Sequence, residues 1–181
     1  MYNQAMLDEE RLKQVVIERQ LAPAVRYFAQ IGSTNDEALQ WAAADAPDGA
    51  LVVADEQTTG RGRLGRSWVT RPGAALAFSL IYRPTDREAE HLQLFSPLAA
   101  VALQSALQNQ WKLPAQIKWP NDVLLQRRKT AGILVEAAWL GSRLQGVVVG
   151  IGINVLRGSV PPDAEVMFPA ISVEHALGQP P

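Results

Sequence analysis

The densest chemistry in the chain is a nine-residue run, Gly60-Arg61-Gly62-Arg63-Leu64-Gly65-Arg66-Ser67-Trp68. Its glycines leave backbone N–H groups open to a ligand. Its guanidiniums offer flat pairs of donors that match carboxylate or phosphate oxygens. Such a run suits an anion that must be gripped and enclosed. Two stricter motifs fail on context. Gly60, Gly62 and Gly65 satisfy the dinucleotide pattern G-x-G-x-x-G, but Gln57-Thr58-Thr59 separates them from the preceding strand and no helix is expected after them. Gly60, Gly65, Arg66 and Ser67 approach a phosphate-binding P-loop, with Arg66 in place of the lysine and the same context missing. A solvated basic surface and a nucleic-acid contact stay open as other readings. The second is opposed by a net charge of −1 and by Trp68 as the sole interleaved aromatic.

Two further groupings carry charge. Lys118-Trp119-Pro120-Asn121-Asp122 sets a cation, an aromatic ring, an amide and a carboxylate around one turn. Asp122 suits Mg²⁺ held together with substrate phosphates; it equally suits an Asx-type turn capping backbone N–H groups. Lys129-Thr130-Ala131-Gly132-Ile133-Leu134-Val135-Glu136 puts a lysine just before an apolar strand. There it meets an anion or simply marks the strand boundary. Other chemistry is excluded. The chain has no Cys, which removes a thiol nucleophile, a disulfide framework and a thiolate metal site. No G-x-S-x-G is present, and His91 and His175 have no ligand spacing and read as surface residues.

The elements that must position these residues follow from periodicity. Residues 1–23 form an N-terminal helical segment, with Leu12, Val15, Val16 and Arg19 at helical spacing within 9–21. Residues 24–31 alternate as a strand. Thr34 with Glu37 forms a capping-box pattern ahead of Ala38, Leu39, Trp41 and Ala42. Residues 51–54 and 75–82 read as strands, and 55–73 between them as one long loop. Residues 88–111 read as a single helix with Leu92, Phe95, Leu98, Ala99, Ala102, Leu103 and Leu107 on one face, Pro97 kinking it or marking a first turn. Strands at 116–119 and 123–126 flank the Pro120-Asn121-Asp122 turn. Strands at 131–140 and 144–155 flank Gly141-Ser142-Arg143 as a hairpin. Residues 156–169 form a Pro-rich loop, and a short helix begins near Ser172. Trp41, Trp111 and Trp139 are expected in the core or at its edge. The chain is thus one α+β domain over 1–181, with helices on a mixed, mostly antiparallel sheet. At 181 residues, 48% hydrophobic and 19% charged, it is globular, without targeting signal or membrane span, and reads as cytoplasmic.

Taken in order, Ser33-Thr34-Asn35, Gln57 with the glycine–arginine run, Lys118-Trp119-Pro120-Asn121-Asp122, Lys129-Thr130-Ala131-Gly132-Ile133-Leu134 and Gly150-Ile151-Gly152-Ile153-Asn154 resemble the catalytic domain of the biotin–protein ligases. Each piece is short; the ordered set, spanning residues 24–178, is specific. The resemblance implies the class II aminoacyl-tRNA-synthetase-like fold of biotin and lipoate ligases. It also implies two half-reactions. Biotin and Mg·ATP give biotinyl-5′-AMP, which then acylates a lysine of the biotin carboxyl carrier protein of acetyl-CoA carboxylase. By matched position, Ser33, Thr34, Asn35 and Gln57 contact biotin. Gly60, Arg61, Gly62 and Arg63 belong to the loop over biotin and the adenylate. Lys129, beside Gly132, meets the mixed anhydride, with Arg63 and Lys129 the catalytic pair. Arg66, Trp68, Lys118, Asn121, Asp122 and Asn154 form the ATP side, and Asp122 the Mg²⁺ ligand. Relative to the family, the N-terminal helix-turn-helix and the C-terminal β-barrel are expected to be missing, so no DNA binding is implied. The alternative is a biotin or biotinyl-AMP binding module without efficient transfer. A homodimer through the sheet edge near Gly141 is a further expectation.

Overall fold

The computed structural model describes residues 9–68, 70–160 and 168–181. Seven strands form one sheet in the order β1-β2-β3-β7-β6-β5-β4. They are β1 (Val25–Ile31), β2 (Leu51–Gln57), β3 (Ala75–Tyr82), β4 (Gln116–Lys118), β5 (Asp122–Leu125), β6 (Arg128–Leu140) and β7 (Arg143–Asn154). Only β1 and β2 run parallel; every other pair is antiparallel, so the sheet is mixed and mostly antiparallel as the periodicity predicts. The helices are α1 (Glu9–Glu18), α2 (Thr34–Ala43), α3 (Asp86–Ala89), α4 (Phe95–Trp111) and α5 (Val173–Leu177). The β6–β7 hairpin turns on Gly141 and Ser142, with Gly141 at φ +60°, a conformation that favours glycine.

Alternation along β6 and β7 sends side chains to two layers. Val147, Val149 and Ile153 of β7 join Ile133 of β6 and Val123 and Leu125 of β5 against Ala100, Leu103 and Leu107 of α4. On the other face Val148 and Ala138 join Val52 and Ile81 against Ala38 and Ala42 of α2. Small residues on α2 let the helix lie close to the sheet. Arg83, just past β3, ties down its far end. Its guanidinium donates to the carbonyls of Ala42 (3.0 Å) and Ala46 (2.7 Å) on the α2 side and to that of Gln145 across the sheet.

Several expectations need correction. The Thr34–Glu37 capping box does not form. Ser33 is the N-cap and makes no side-chain cap bond. The Thr34 hydroxyl lies instead against Gln57 and Ser79, while Glu37 pairs with Arg26 at 2.7 Å. A capping box does form at Thr85–Glu88, opening α3. There the Thr85 backbone N–H, followed by the Tyr82 hydroxyl, holds the Glu88 carboxyl below the usual range. The span 88–111 is not one helix. It divides into α3, a 3₁₀ turn (Leu92–Leu94) and α4, with Pro97 in the first turn of α4, where its missing N–H costs nothing. The buried face of α4 is Ala100, Leu103 and Leu107; Leu98 and Ala102 face outward. On α1 only Val16 is buried. Trp139, expected at the core, is 55% exposed near the hairpin tip, while Trp41 and Trp111 are half-buried. His91 and His175 are exposed as expected. The presumed loop 55–73 starts later, because β2 runs on to Gln57. Of the Pro-rich loop, residues 161–167 lie outside the described residues, as do 1–8 of the N-terminal segment. No helix among the described residues is long and apolar enough to cross a membrane.

Removing the Arg83 staple orphans carbonyls at the end of α2. Arg83→Met is expected to destabilise the fold by about 2 kcal/mol in urea unfolding, with the m-value unchanged; a loss below about 0.5 kcal/mol would show that the staple is idle.

Candidate functional site

A cavity of 220 Å³ opens on the α2 face of the sheet. Its floor is made by β6 and β7 in a register that pairs Gly132 with Gly152 and Leu134 with Gly150. Val148, Gly150 and Gly152 follow one another on this face, so the apolar strand becomes bare as it reaches the cavity. A Cβ on Gly150 would collide with the Asn35 amide. One on Gly152 would collide with the Trp68 indole, which also lies 3.2 Å from the Cβ position of Gly132. Glycine in a strand interior weakens it unless something must approach closely, and here two side chains do.

Asn35 marks the polar end. Ser33, Thr34 and Asn35 are all buried at the start of α2. Gln57, the last residue of β2, accepts from the Thr34 backbone N–H at 2.8 Å, with the Thr34 hydroxyl 2.9 Å from the same Oε1. Beneath them Ser79 of β3, fully buried, sets its hydroxyl 2.8 Å from Thr34 Oγ1 and 2.6 Å from Asn35 Oδ1. Asn35 Nδ2 donates to the Leu134 carbonyl (3.2 Å) and to Glu136 Oε2 (2.8 Å). The result is a connected set of amides and hydroxyls without net charge of its own, which suits a neutral polar group.

The other end is cationic and sits two residues along β7, about 7 Å away by strand rise. Lys129, near the start of β6, pairs with Asp122 Oδ1 at 2.7 Å and stands 5.6 Å from the Trp68 ring centroid. Asp122 is buried between Lys129 and Lys118, the latter 3.7 Å from Oδ2. Arg63 donates to Asn121 Oδ1 at 3.3 Å, and Asn121 Nδ2 donates to the Ile133 carbonyl. Trp68 Nε1 is buried without a hydrogen-bond partner among the described residues. The loop that carries these groups folds back on itself. Arg61 bridges Ser67, Gly62 N–H donates to the Arg66 carbonyl (2.7 Å), and a 3₁₀ turn (Arg63–Gly65) holds Leu64 88% exposed at the tip. Arg61 is already spent on Asp36 (2.5 Å) and Glu136 (3.0 Å). Arg63 and Arg66 reach no carboxylate among the described residues, so their charge remains available to an anion. The lining includes Arg61, Arg63 and Arg66 together. The loop's charge therefore stands at the rim of the cavity, with the three arginines themselves exposed.

Thirteen of the sixteen residues singled out from the sequence line this cavity: Ser33, Thr34, Asn35, Gln57, Arg61, Gly62, Arg63, Arg66, Trp68, Asn121, Asp122, Lys129 and Gly132. Gly60, Lys118 and Asn154 do not. Gly60 lies behind the loop, where a Cβ would strike the Trp68 carbonyl. Lys118 turns over the Phe168 ring, 3.9 Å from its centroid, and reaches the site only through Asp122. Asn154 is buried where β7 pairs with Ala75 of β3. Sequence reasoning missed Ser79, Glu136, Gly150 and Gly152 as site residues. A hydroxyl inside the apolar strand Ala75–Tyr82 and glycines alternating along Arg143–Asn154 were the available signals. Among the described residues no cluster of three or more His, Cys, Asp or Glu stands ready for a metal; Asp122 is the carboxylate at the cationic end.

Filling the bare floor should be costly in a residue-specific way. Gly152→Ala is expected to expel the Trp68 indole and destabilise by about 1–3 kcal/mol. It should also red-shift the part of the tryptophan emission that Trp68→Phe removes. Gly150→Ala should destabilise comparably through Asn35 while leaving that emission in place; identical spectra for both variants would contradict the arrangement.

Comparison with known proteins agrees with this architecture. Residues 27–154 match the family model described as "Biotin/lipoate A/B protein ligase family". The Bacillus spizizenii "Bifunctional ligase/repressor BirA" is 40% identical over 153 residues, covering 84% of this chain and 47% of that relative. The Paracoccus denitrificans "Biotin--[acetyl-CoA-carboxylase] ligase" is 43% identical, covering 83% and 63%. A solved structure of the Aquifex aeolicus biotin protein ligase, in complex with biotin and ATP, superposes with a TM-score of 0.73 at 32% identity, covering 87% of this chain and 62% of that one. The chain thus spans about half to somewhat under two-thirds of the length of these relatives. On the family match, the relatives' identities and the shared sheet, the chain belongs to the biotin/lipoate A/B protein ligase family.

Proposed function

We propose that this chain is the catalytic core of an ATP-dependent biotin–protein ligase. The observation that carries the reading is the division of one small cavity into a neutral polar end and a cationic end about 7 Å apart along β7. Biotin has the same division, a neutral ureido ring at one end and a carboxylate at the other. In the first half-reaction the biotin carboxylate oxygen attacks the α-phosphorus of ATP, the bond to the β-phosphate oxygen breaks, and pyrophosphate leaves. In the second, a lysine amine of the biotin carboxyl carrier protein attacks the acyl carbon of biotinyl-5′-AMP and AMP leaves. Neither step needs a nucleophile from the enzyme, which agrees with the absence of Cys and of a serine elbow.

The chain's own groups then have these tasks. Thr34, Asn35 and Gln57, with Ser33 beside them, hold the ureido ring. Lys129 supports the charge that develops between carboxylate and α-phosphate. Arg63 and Arg66, unpaired with carboxylates, grip the oxygens of the adenylate, and the unpartnered Trp68 N–H adds a donor at the same end. Asn121 and Asp122 serve the nucleotide side. Asp122 with phosphate oxygens fits a Mg²⁺ ion, since that ion takes one or two carboxylates and keeps phosphate and water ligands; bound there, it would neutralise phosphate charge. Residues 60–68 exclude water from the anhydride until the acceptor amine arrives. Both half-reactions are assigned to the cytoplasm, which suits a chain without cysteine. Nothing in this reading calls for DNA or a membrane.

Because the chain spans 47–63% of the relatives named above, adenylation and transfer are best assayed separately. Biotin-dependent release of pyrophosphate from Mg·ATP tests the first step, and biotin transfer to a carrier-domain lysine the second. Release without transfer would favour a binding and activation module. Lys129→Ala is expected to lower pyrophosphate release by about 10²–10³-fold; release at the parental rate would refute its role. Arg63→Gly is expected to form the adenylate yet lose it, labelling bystander lysines; an adenylate retained as long as in the parent would remove the gripping role.

A further inference from the structure

Glu136 stands in the middle of β6, and the proposed chemistry gives it no task. Its Oε2 accepts from two donors that belong to different parts of the site: Asn35 Nδ2 at 2.8 Å and Arg61 Nη2 at 3.0 Å. Asn35 belongs to the polar end, at the start of α2. Arg61 belongs to residues 60–68, which arch over the cavity. One carboxylate oxygen joins them. The side chain is 24% exposed, so this pair is screened less than Arg61's other pair, whose Asp36 side chain is 49% exposed.

We propose that Glu136 is a positioning residue. Its carboxylate holds the Asn35 amide in the orientation that recognises the ligand's head group, and latches Arg61, and with it the loop, onto that amide. Recognition at the polar end and closure of the loop then become one coupled event.

Hydrogen-bond accounting supports the first half. Asn35 Nδ2 has two partners, the Leu134 carbonyl and Glu136, and both only accept. That leaves Asn35 Oδ1 facing Ser79, which must give it its one hydroxyl proton. Ser79 Oγ also lies 2.8 Å from Thr34 Oγ1, whose own proton has Gln57 Oε1 as an acceptor at 2.9 Å. With an amide at residue 136 the facing is no longer enforced from that side, since a glutamine can donate as well as accept. The second half follows from the guanidinium. Arg61 has Glu136 on the sheet and Asp36 on α2, and only the first of these also touches the recognition amide.

The inference rests on reading the cavity as a biotin site, and its test is arranged to separate the two. Glu136→Gln keeps the size of the side chain. It is expected to weaken biotin binding by about tenfold in titration calorimetry, leave ATP affinity unchanged, and speed tryptic cleavage after Arg61, Arg63 or Arg66 in the ligand-free protein. Asp36→Asn frees Arg61 on the other side without touching Asn35. It should speed the same cleavage while changing biotin affinity by less than about threefold. A Glu136→Gln protein with parental biotin affinity, or with biotin and ATP affinities weakened alike, would overturn the proposal. If the parent itself does not bind biotin, the function proposed above falls, and the tryptic rates alone decide the latch: cleavage of Glu136→Gln at the parental rate overturns it.

Discussion

The Asn35 amide occupies the volume where a side chain on residue 150 would stand, and the rest of the site depends on that exclusion. Because β7 is bare at Gly150, the first turn of α2 can rest directly on the sheet. Ala38 and Ala42 continue the close approach further along the helix. With α2 seated there, Ser79 of β3 lies under both Thr34 and Asn35, and Gln57 at the end of β2 reaches the Thr34 N–H. The usual helix cap is given up in the process. Ser33 makes no cap bond and the Thr34 hydroxyl turns toward its neighbours. A helix start that spends its polar side chains on a cavity forgoes about 1 kcal/mol of capping. Arg83 at the opposite end of the helix contributes in the other direction.

The same bareness continues to Gly152 and Gly132, where the Trp68 indole approaches the floor closely. The tryptophan closes the loop at its C-terminal end, where its backbone N–H donates to the Gly60 carbonyl at 2.8 Å. The cations are divided by what they already hold. Lys129 is paired with a buried carboxylate and Arg61 with two, whereas Arg63 and Arg66 have no carboxylate among the described residues. A site built this way is selective by placement. The neutral end discriminates by donor and acceptor, where an unpaired group is costly, and the cationic end attracts any oxyanion of the right reach.

Much of this was legible in the sequence, and the failures have physical causes. The strand Ala75–Tyr82 and the β6–β7 hairpin were recoverable from alternation and a turn signal. So was the fold class, because hairpins far outnumber parallel crossovers in the pattern. The loop's arginines were legible because no core has use for so many charges. Thr34 with Glu37 has the spacing of a capping box, yet tertiary partners outcompete the cap, while Thr85 with Glu88 has no such competitor and forms one. The helix expected over 88–111 breaks because the residues before Pro97 are consumed by a 3₁₀ turn. Glu136 and Ser79 escaped notice for a shared reason. Each is a polar residue within an apolar stretch of its strand, and the register of β3, β6 and β7 is what brings their faces together beside the cavity. Lys118 lies over the Phe168 ring and Asn154 is buried where β7 pairs with β3, so neither lines the cavity.

The central claim is that one cavity holds a neutral head group and an activated carboxylate at once. Thermal unfolding of the intact chain with biotin, with Mg·ATP and with both tests it most directly, since a ligand that binds only the folded state raises its stability by mass action. Biotin at about a hundredfold above its Kd should add about 2.7 kcal/mol, a rise of roughly 5–10 °C for a chain of this size. Biotin with Mg·ATP together should exceed the sum of the separate shifts, because the adenylate spans both ends. A melting temperature indifferent to biotin at millimolar concentration, or shifts from the two ligands that merely add, would contradict a cavity that joins them.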